Sequence, residues 1–280
     1  MQLAETYDLV SRLAPKEVQK SFKVLSKKTD INNIKSLLTA KEVGLSSEET
    51  IDLLIPAGSL YDDLERLSEV GSVSEVITGL DGTEYSSVLE DVIPIYEEKQ
   101  MVLPLESALD KYYLNNLIKS TQVPGDENTE ILYAFIGTQV DIVNLKLIIR
   151  AKDDNLDFDT ISPYMIENGY KLRDWKLKDL MESQGVSGVI SSLEGTKYAE
   201  VLAEPLNQYN DNGNASVFEK ALDDYAAGYY NSLATKKPLG IGPIIGYLSK
   251  KEIEVRNLKI IARAKREIDF PVEKLQEMLV

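Results

Sequence analysis

Apolar residues recur at helical spacing along most of the chain. Val73, Val76, Ile77 and Leu80 occupy positions i, i+3, i+4 and i+7, and Val186, Val189, Ile190 and Leu193 repeat that stripe. This spacing places four side chains on one face of an α-helix. Ser72 and Glu75 form a capping-box pattern ahead of the first stripe. Gly82 and Gly195 stand where a left-handed residue ends a helix, and Thr83 and Thr196 are placed to cap the next. The pattern therefore predicts helix, Gly-Thr turn, helix, twice. Tyr85, Val88 and Leu89 form the apolar face of the second helix, as do Tyr198, Val201 and Leu202 in the other copy. Residues 141–152 differ. Ile142, Leu145, Ile148 and Ile149 share one face while Leu147 and Ala151 lie on another, and a helix apolar over most of its circumference is a buried one. Lys146 and Arg150 share a face at i, i+4. Pro, Gly and Asp clusters predict loops at residues 121–130, 153–163 and 236–243. No stretch alternates as a strand does.

The chain is internally repetitive. The segment Val73-Ser-Glu-Val-Ile-Thr-Gly-Leu80 returns as Val186-Ser-Gly-Val-Ile-Ser-Ser-Leu193, 113 positions on. Glu106-Ser-Ala-Leu-Asp110 returns as Glu219-Lys-Ala-Leu-Asp223 at the same offset, as does the helix at 141–152, with Asn144, Lys146, Arg150 and Lys152 matched by Asn257, Lys259, Arg263 and Lys265. A fainter copy lies 111 positions upstream, where Asn33, Lys35 and Lys41 match Asn144, Lys146 and Lys152. A period this long favours globular subdomains over a thin solenoid. It divides the chain into the C-terminal half of a first repeat (residues 1–58), a second repeat (59–168) and a third (169–280). Roughly 50 residues of the first repeat are missing if the repeats keep equal length.

Composition narrows the chemistry. The 280 residues include no His and no Cys, and 46 acidic residues against 31 basic ones give a formal net charge of -15. Triads and dyads built on His or Cys are excluded, along with His/Cys zinc sites, iron–sulfur clusters and disulfides. An acidic surface repels phosphate backbones, which argues against nucleic acid. No stretch approaches the ~20 apolar residues of a membrane span, the richest run being 241–248. The N-terminus has no signal-peptide pattern, so a soluble protein is expected. One enzyme motif stands out. Asp153-Asp154-Asn155-Leu156-Asp157 has the Asp-Asp-x-x-Asp spacing with which helical isoprenoid synthases hold magnesium and diphosphate. A second such motif is missing, and the matching site in the next repeat is Arg266-Glu267-Ile268-Asp269-Phe270. An EF-hand reading of the same segment fails, because Phe158 and Tyr164 stand where Gly and Glu are required.

The Asn-Leu-Lys-x-Ile-x-Arg-Ala-Lys block at 144–152 and 257–265, with Leu-x-Gly-Thr-x-Tyr at 80–85 and 193–198, resembles the C subunit of archaeal-type A/V-type ATP synthases, a relative of the d subunit of the vacuolar proton pump. The resemblance implies an all-α fold: a pseudo-threefold funnel of repeated helix bundles, here with its first subdomain incomplete. It also implies a non-catalytic socket on the cytoplasmic face of the membrane, without cofactor or metal. Such a socket joins the central stalk subunits D and F to the membrane proteolipid ring during proton or sodium transport, without inserting into the membrane itself. Lys146, Arg150, Lys152, Lys259, Arg263 and Lys265 are then the candidate residues, either touching the shaft or pairing between helices. The alternatives are a generic helical-repeat adaptor and the magnesium-dependent diphosphate enzyme.

Overall fold

The computed structural model describes residues 2–121, 126–236, 238–265 and 270–279. Every regular element among them is helical, so the fold is all-α. The chain forms two compact units, residues 1–120 and 121–280.

In the first unit α1 (Gln2–Leu13) leads into α2 (Lys16–Leu25), which buries Val18, Phe22 and Leu25 on one face. Helix α3 (Lys28–Glu42) buries Ile31, Ile34, Leu37 and Leu38, together with two polar residues, Asp30 and Asn33. Four short helices come next: α4 (Ser47–Leu53), α5 (Tyr61–Leu67), α6 (Val73–Gly79) and α7 (Ser86–Glu90). Then come α8 (Ile93–Lys99) and the long α9 (Leu103–Ser120), which packs on α2 and α3. The complete capping box of this unit is at α4, where Ser46 and Glu49 satisfy each other's backbone N–H groups. At α6 only half the expected box forms. Ser72 accepts from the Glu75 N–H, but the Glu75 carboxylate accepts from Gly71 N instead. Gly82 has the expected positive φ, at 80°. Thr83 departs from its expected role: α7 begins at Ser86 after Tyr85, and the Thr83 hydroxyl accepts from Tyr85 N.

The second unit begins with α10 (Glu127–Asp153), capped by the Asp126 carboxylate. It continues through α11 (Phe158–Ile161), a 3-10 turn (Ser162–Tyr164), α12 (Asp174–Glu182) and α13 (Gly185–Ser192). Helices α14 (Lys197–Asn212), α15 (Ser216–Lys236), α16 (Gly242–Ala264) and α17 (Val272–Met278) complete it. Thr196 caps α14 as its sequence position predicts, and Gly195 has φ 82°. The core gathers Leu145, Ile148, Leu180, Leu193, Tyr198 and Phe218. Gly246 lets α16 lie close on α15, since a Cβ there would come within 2.7 Å of the Ala234 Cβ.

Three sequence expectations are corrected. The apolar maximum is α10 rather than 241–248. An 18-residue window of α10 has the length and hydropathy of a membrane span, but 78% of it is buried inside the protein, so its apolar surface builds the core. The expected loop at 121–130 ends earlier, because Glu127 already opens α10. The linker at 153–163 is not structureless, since α11 and the 3-10 turn lie within it.

The folding unit and the sequence repeat are out of phase. Helix α3 comes from the end of one sequence copy and packs on α5, α6 and α9 from the next. Helix α10 likewise packs on α12, α13 and α15. The apolar girdle of each central helix is thus covered by the residues that come after it.

Candidate functional site

The polar residues that recur in the central helices make one set of contacts, found twice. In the second unit the Asn144 amide pairs with a single residue's backbone from both sides. Its Nδ2 donates to Ile166 O at 2.7 Å, and Ile166 N donates to its Oδ1 at 2.9 Å. In the first unit Asn33 does the same with Ile55, donating to its carbonyl at 2.9 Å and accepting from its N–H at 2.7 Å. Each Asn thereby supplies a loop with the hydrogen bonds that a neighbouring strand would otherwise give.

One turn earlier sits a buried carboxylate. Asp141 accepts from Lys171 N at 2.7 Å, Leu172 N at 3.1 Å and the Tyr198 hydroxyl at 2.9 Å. Burial pushes its pKa up to about 6, against the pull of those three donors. Burial and the facing carboxylate also drive the Tyr198 hydroxyl well above the ordinary tyrosine range. In the first unit Asp30 accepts from Leu60 N at 3.1 Å and from the Ser59 hydroxyl at 2.7 Å. Tyr85, the counterpart of Tyr198, is buried with no hydrogen-bond partner for its hydroxyl. A glycine closes over each carboxylate: a Cβ on Gly58 would run into Asp30 Oδ1, and one on Gly169 into Asp141 Oδ1.

The candidate cations continue down the same helix. Lys146 Nζ pairs with Asp223 on α15 at 2.6 Å, as Lys35 pairs with Asp110 on α9 at 2.7 Å. Asp223 also receives Arg256 from α16 at 2.8 Å, so one carboxylate joins three helices. Arg150 Nε bonds Glu219 at 2.5 Å, and Thr39 at the matching place bonds Glu106 at 2.8 Å. Lys152 donates to Met181 O in the last turn of α12, and Lys41 to Ser68 O at the end of α5. These last two lysines sit where a helix C-terminus leaves carbonyls unpaired and a partial negative charge exposed. Lys265 is exposed. The side chains of Lys259 and Arg263 lie outside the described residues.

The sequence pointed to these cations but not to their partners. The acidic residues of the Glu-x-Ala-Leu-Asp block were visible only as a second repeated motif. Their identical offset was the one signal that the two motifs meet.

The Asp-Asp-x-x-Asp segment does not form a chelating face. Asp153 accepts from the Tyr209 hydroxyl at 2.5 Å, Asp154 ends α10, Asn155 adopts φ 56°, and Asp157 caps α11 through Thr160 N at 2.8 Å. Its acids are spread around a tight turn, each with a local role. Residues 266–269 of the corresponding site lie outside the described residues. Among the described residues no cluster of three acidic side chains is placed to hold a metal ion.

The family model described as ATP synthase (C/AC39) subunit matches residues 1–278. The A-type ATP synthase C subunit of Methanobrevibacter smithii is 64% identical over 280 residues, covering 100% of this chain and 73% of that protein. The C subunit of Methanothermobacter thermautotrophicus is 53% identical over 278 residues, covering 99% and 72%. That of Methanocaldococcus jannaschii is 46% identical over 281 residues, covering 100% and 70%. The chain belongs to the ATP synthase C/AC39 subunit family.

Proposed function

We propose that this chain is the central-stalk socket of an A-type ATP synthase, passing torque between the rotor shaft and the membrane proteolipid ring. That it is a subunit of such a synthase, and not a catalytic one, follows from its family. The observation that supports the coupling role is the contact framework built twice. Asn to backbone, Lys to Asp and Lys to helix end recur in both units with near-identical distances. A part that transmits torque needs stiffness within each unit, and buried amide pairs with inter-helix ion pairs provide it. Each central helix is tied to the helices that cover it at several levels along its length.

In this reading the shaft subunits D and F enter one side of a pseudo-threefold funnel and the ring faces the other, on the cytoplasmic side of the membrane. The repeats at 1–58, 59–168 and 169–280 supply its wall, the central helices of the first two packing on elements of the repeat after them. Lys146, Arg150 and Lys152 serve between helices, holding the wall, while the exposed Lys265 is available to a partner. The test is a synthase complex stripped of its own C subunit, to which the chain is added. ATP-driven ion transport into vesicles should return, and the chain should be retained on immobilised D and F. A folded chain that neither binds D and F nor restores transport would refute the reading.

A further inference from the structure

Residues 171–178 are basic in an acidic chain. Lys171, Arg173, Lys176 and Lys178 stand there against one acid, Asp174, while the chain as a whole carries -15. Trp175, the one tryptophan of the sequence, lies among them and is 67% exposed. Aromatic groups rather than carboxylates meet three of the four cations. Lys176 Nζ lies 5.7 Å from the Trp175 ring centroid, Lys171 Nζ lies 4.4 Å from that of Tyr170, and Arg173 donates to the Tyr133 hydroxyl at 3.2 Å. Lys178 has a loose pair with Glu182 at 3.8 Å, both side chains 65% exposed, and such a pair gives way readily. The segment is held from beneath. Tyr170 N donates to Gly137 O, Lys171 N and Leu172 N donate to Asp141, and Leu177, Leu180 and Met181 are buried. The scaffold does not require this basic face. Helix α5 takes the same place in the first unit, 113 positions earlier, and buries Leu64 where α12 buries Leu177. Yet Asp62, Asp63 and Glu65 stand where α12 carries Trp175, Lys176 and Lys178, and Arg66 stands where it carries Asp179. Asp62 and Glu65 are exposed, as are Trp175 and Lys178. The face is open in both copies, so its exposure belongs to the fold, and only its chemistry differs.

We propose that the Trp175 face of α12 is a contact for the phospholipid headgroups of an anionic membrane surface. Lipid phosphates supply the negative charge that Lys171, Arg173 and Lys176 do not meet in their aromatic contacts, and each cation close to such a surface adds its own attraction. The residue types favour lipid over an acidic protein segment. Lysine is depleted from protein–protein interfaces, whereas tryptophan with lysine and arginine marks the headgroup level of a bilayer. A lysine stem is flexible enough for its ammonium to follow mobile phosphates. The rest of the chain is acidic, but its repulsion is screened beyond about 8 Å at physiological ionic strength. Helix α12 turns its leucines inward, so the contact stays among the headgroups and does not reach hydrocarbon. Four cations and one ring make a weak, reversible contact, one that orients a protein already held by other partners. The site shares with the socket reading only the placing of the chain beside a membrane. Vesicle binding is measured without any stalk subunit, so the two readings fail separately.

The reporter is Trp175 itself, in the 280-residue chain titrated with vesicles of phosphatidylglycerol and, as the neutral arm, of phosphatidylcholine. Phosphatidylglycerol should move the Trp175 emission to shorter wavelength and shield it from acrylamide, and phosphatidylcholine should do neither. Raising the salt from about 0.05 to about 0.5 M should weaken the binding about tenfold or more. Lys171→Gln, Lys176→Gln and Lys178→Gln together should weaken it more than about fiftyfold, each cation near the surface being worth about fivefold, with the circular dichroism spectrum unchanged. The same change at Lys16, Lys20 and Lys23 of α2 should leave the Trp175 shift in place. The proposal is overturned if phosphatidylglycerol gives no shift or phosphatidylcholine gives an equal one. It is equally overturned if the chain sediments with vesicles while Trp175 stays unshifted, or if the triple variant at 171, 176 and 178 binds undiminished. Polyglutamate that gives the same shift at the same charge concentration would overturn it in favour of an acidic protein segment. Should that triple variant fail to fold, the salt response and the neutral-lipid arm of the unaltered chain decide.

Discussion

Replacing Tyr198 and Tyr85 by Phe removes the same atom from two matching places, and the expected results differ in sign. The Tyr198 hydroxyl donates to the buried Asp141 carboxylate at 2.9 Å. A hydrogen bond to a charged group contributes about 1.5–3 kcal/mol, so Tyr198→Phe should destabilise the second unit by about 2 kcal/mol at pH 7.5. The Tyr85 hydroxyl is buried without a hydrogen-bond partner, and the Ser59 hydroxyl donates to Asp30. Tyr85→Phe removes a desolvated polar atom and should be neutral or stabilise the first unit by up to about 1 kcal/mol. The Tyr198 effect should also depend on pH. Asp141 titrates near 6 in the folded protein, above its ordinary value, so the folded state binds the extra proton between about pH 4 and 6. Stability from this group is therefore greatest below pH 4 and is lost as pH rises through 6. Removing the Tyr198 donor raises that pKa further, so the loss is largest above pH 6 and shrinks at pH 4.5, where the folded carboxyl is mostly neutral. Native-state amide exchange in α3 and α10 reads the two units separately. Equal losses in the two variants, or a Tyr198→Phe loss unchanged between pH 7.5 and 4.5, would refute the reasoning.

Asn144→Leu leaves the N–H and carbonyl of Ile166 buried and unpaired, and should cost about 4 kcal/mol in urea unfolding, with Asn33→Leu costing a similar amount in the first unit. Gly169→Ala drives a methyl group into Asp141 and should lower stability by about 1–3 kcal/mol, read from the Trp175 fluorescence transition of the second unit. Asp223→Asn weakens the half-buried pairs to Lys146 and Arg256 and should cost about 1 kcal/mol at low salt and less at high salt, measured as a shift in thermal midpoint. Asp141→Asn should flatten the stability change between pH 4 and 6 while lowering stability at every pH, because an amide nitrogen replaces one acceptor oxygen facing backbone donors.

The sequence by itself determined the helical class, the 113-residue period and the helix–turn–helix of each copy. Those features are local. Apolar stripes at i, i+3 and i+4, a left-handed Gly82 or Gly195 and a capping Thr196 act within a few residues, where neighbours in sequence are neighbours in space. Family resemblance followed from the same blocks. Thr83 and Glu75 show where local rules lose, since each found a different partner from the one its spacing predicted.

Only the tertiary structure decided what the polar residues of the central helices do. Lys146 and Asp223 are 77 positions apart, Asn144 and Ile166 are 22, and Asp141 and Tyr198 are 57. No periodicity relates such pairs; they meet because the helices after α10 fold back over it. The same packing set the folding units out of phase with the sequence repeat. It also made identical sequence do different things: Asn-Leu-Lys is core in α10 and, at Leu258 of α16, surface. Burial belongs to the covering elements rather than to the helix itself, so the apolar position of one motif is buried at Ile34 and Leu145 and exposed at Leu258.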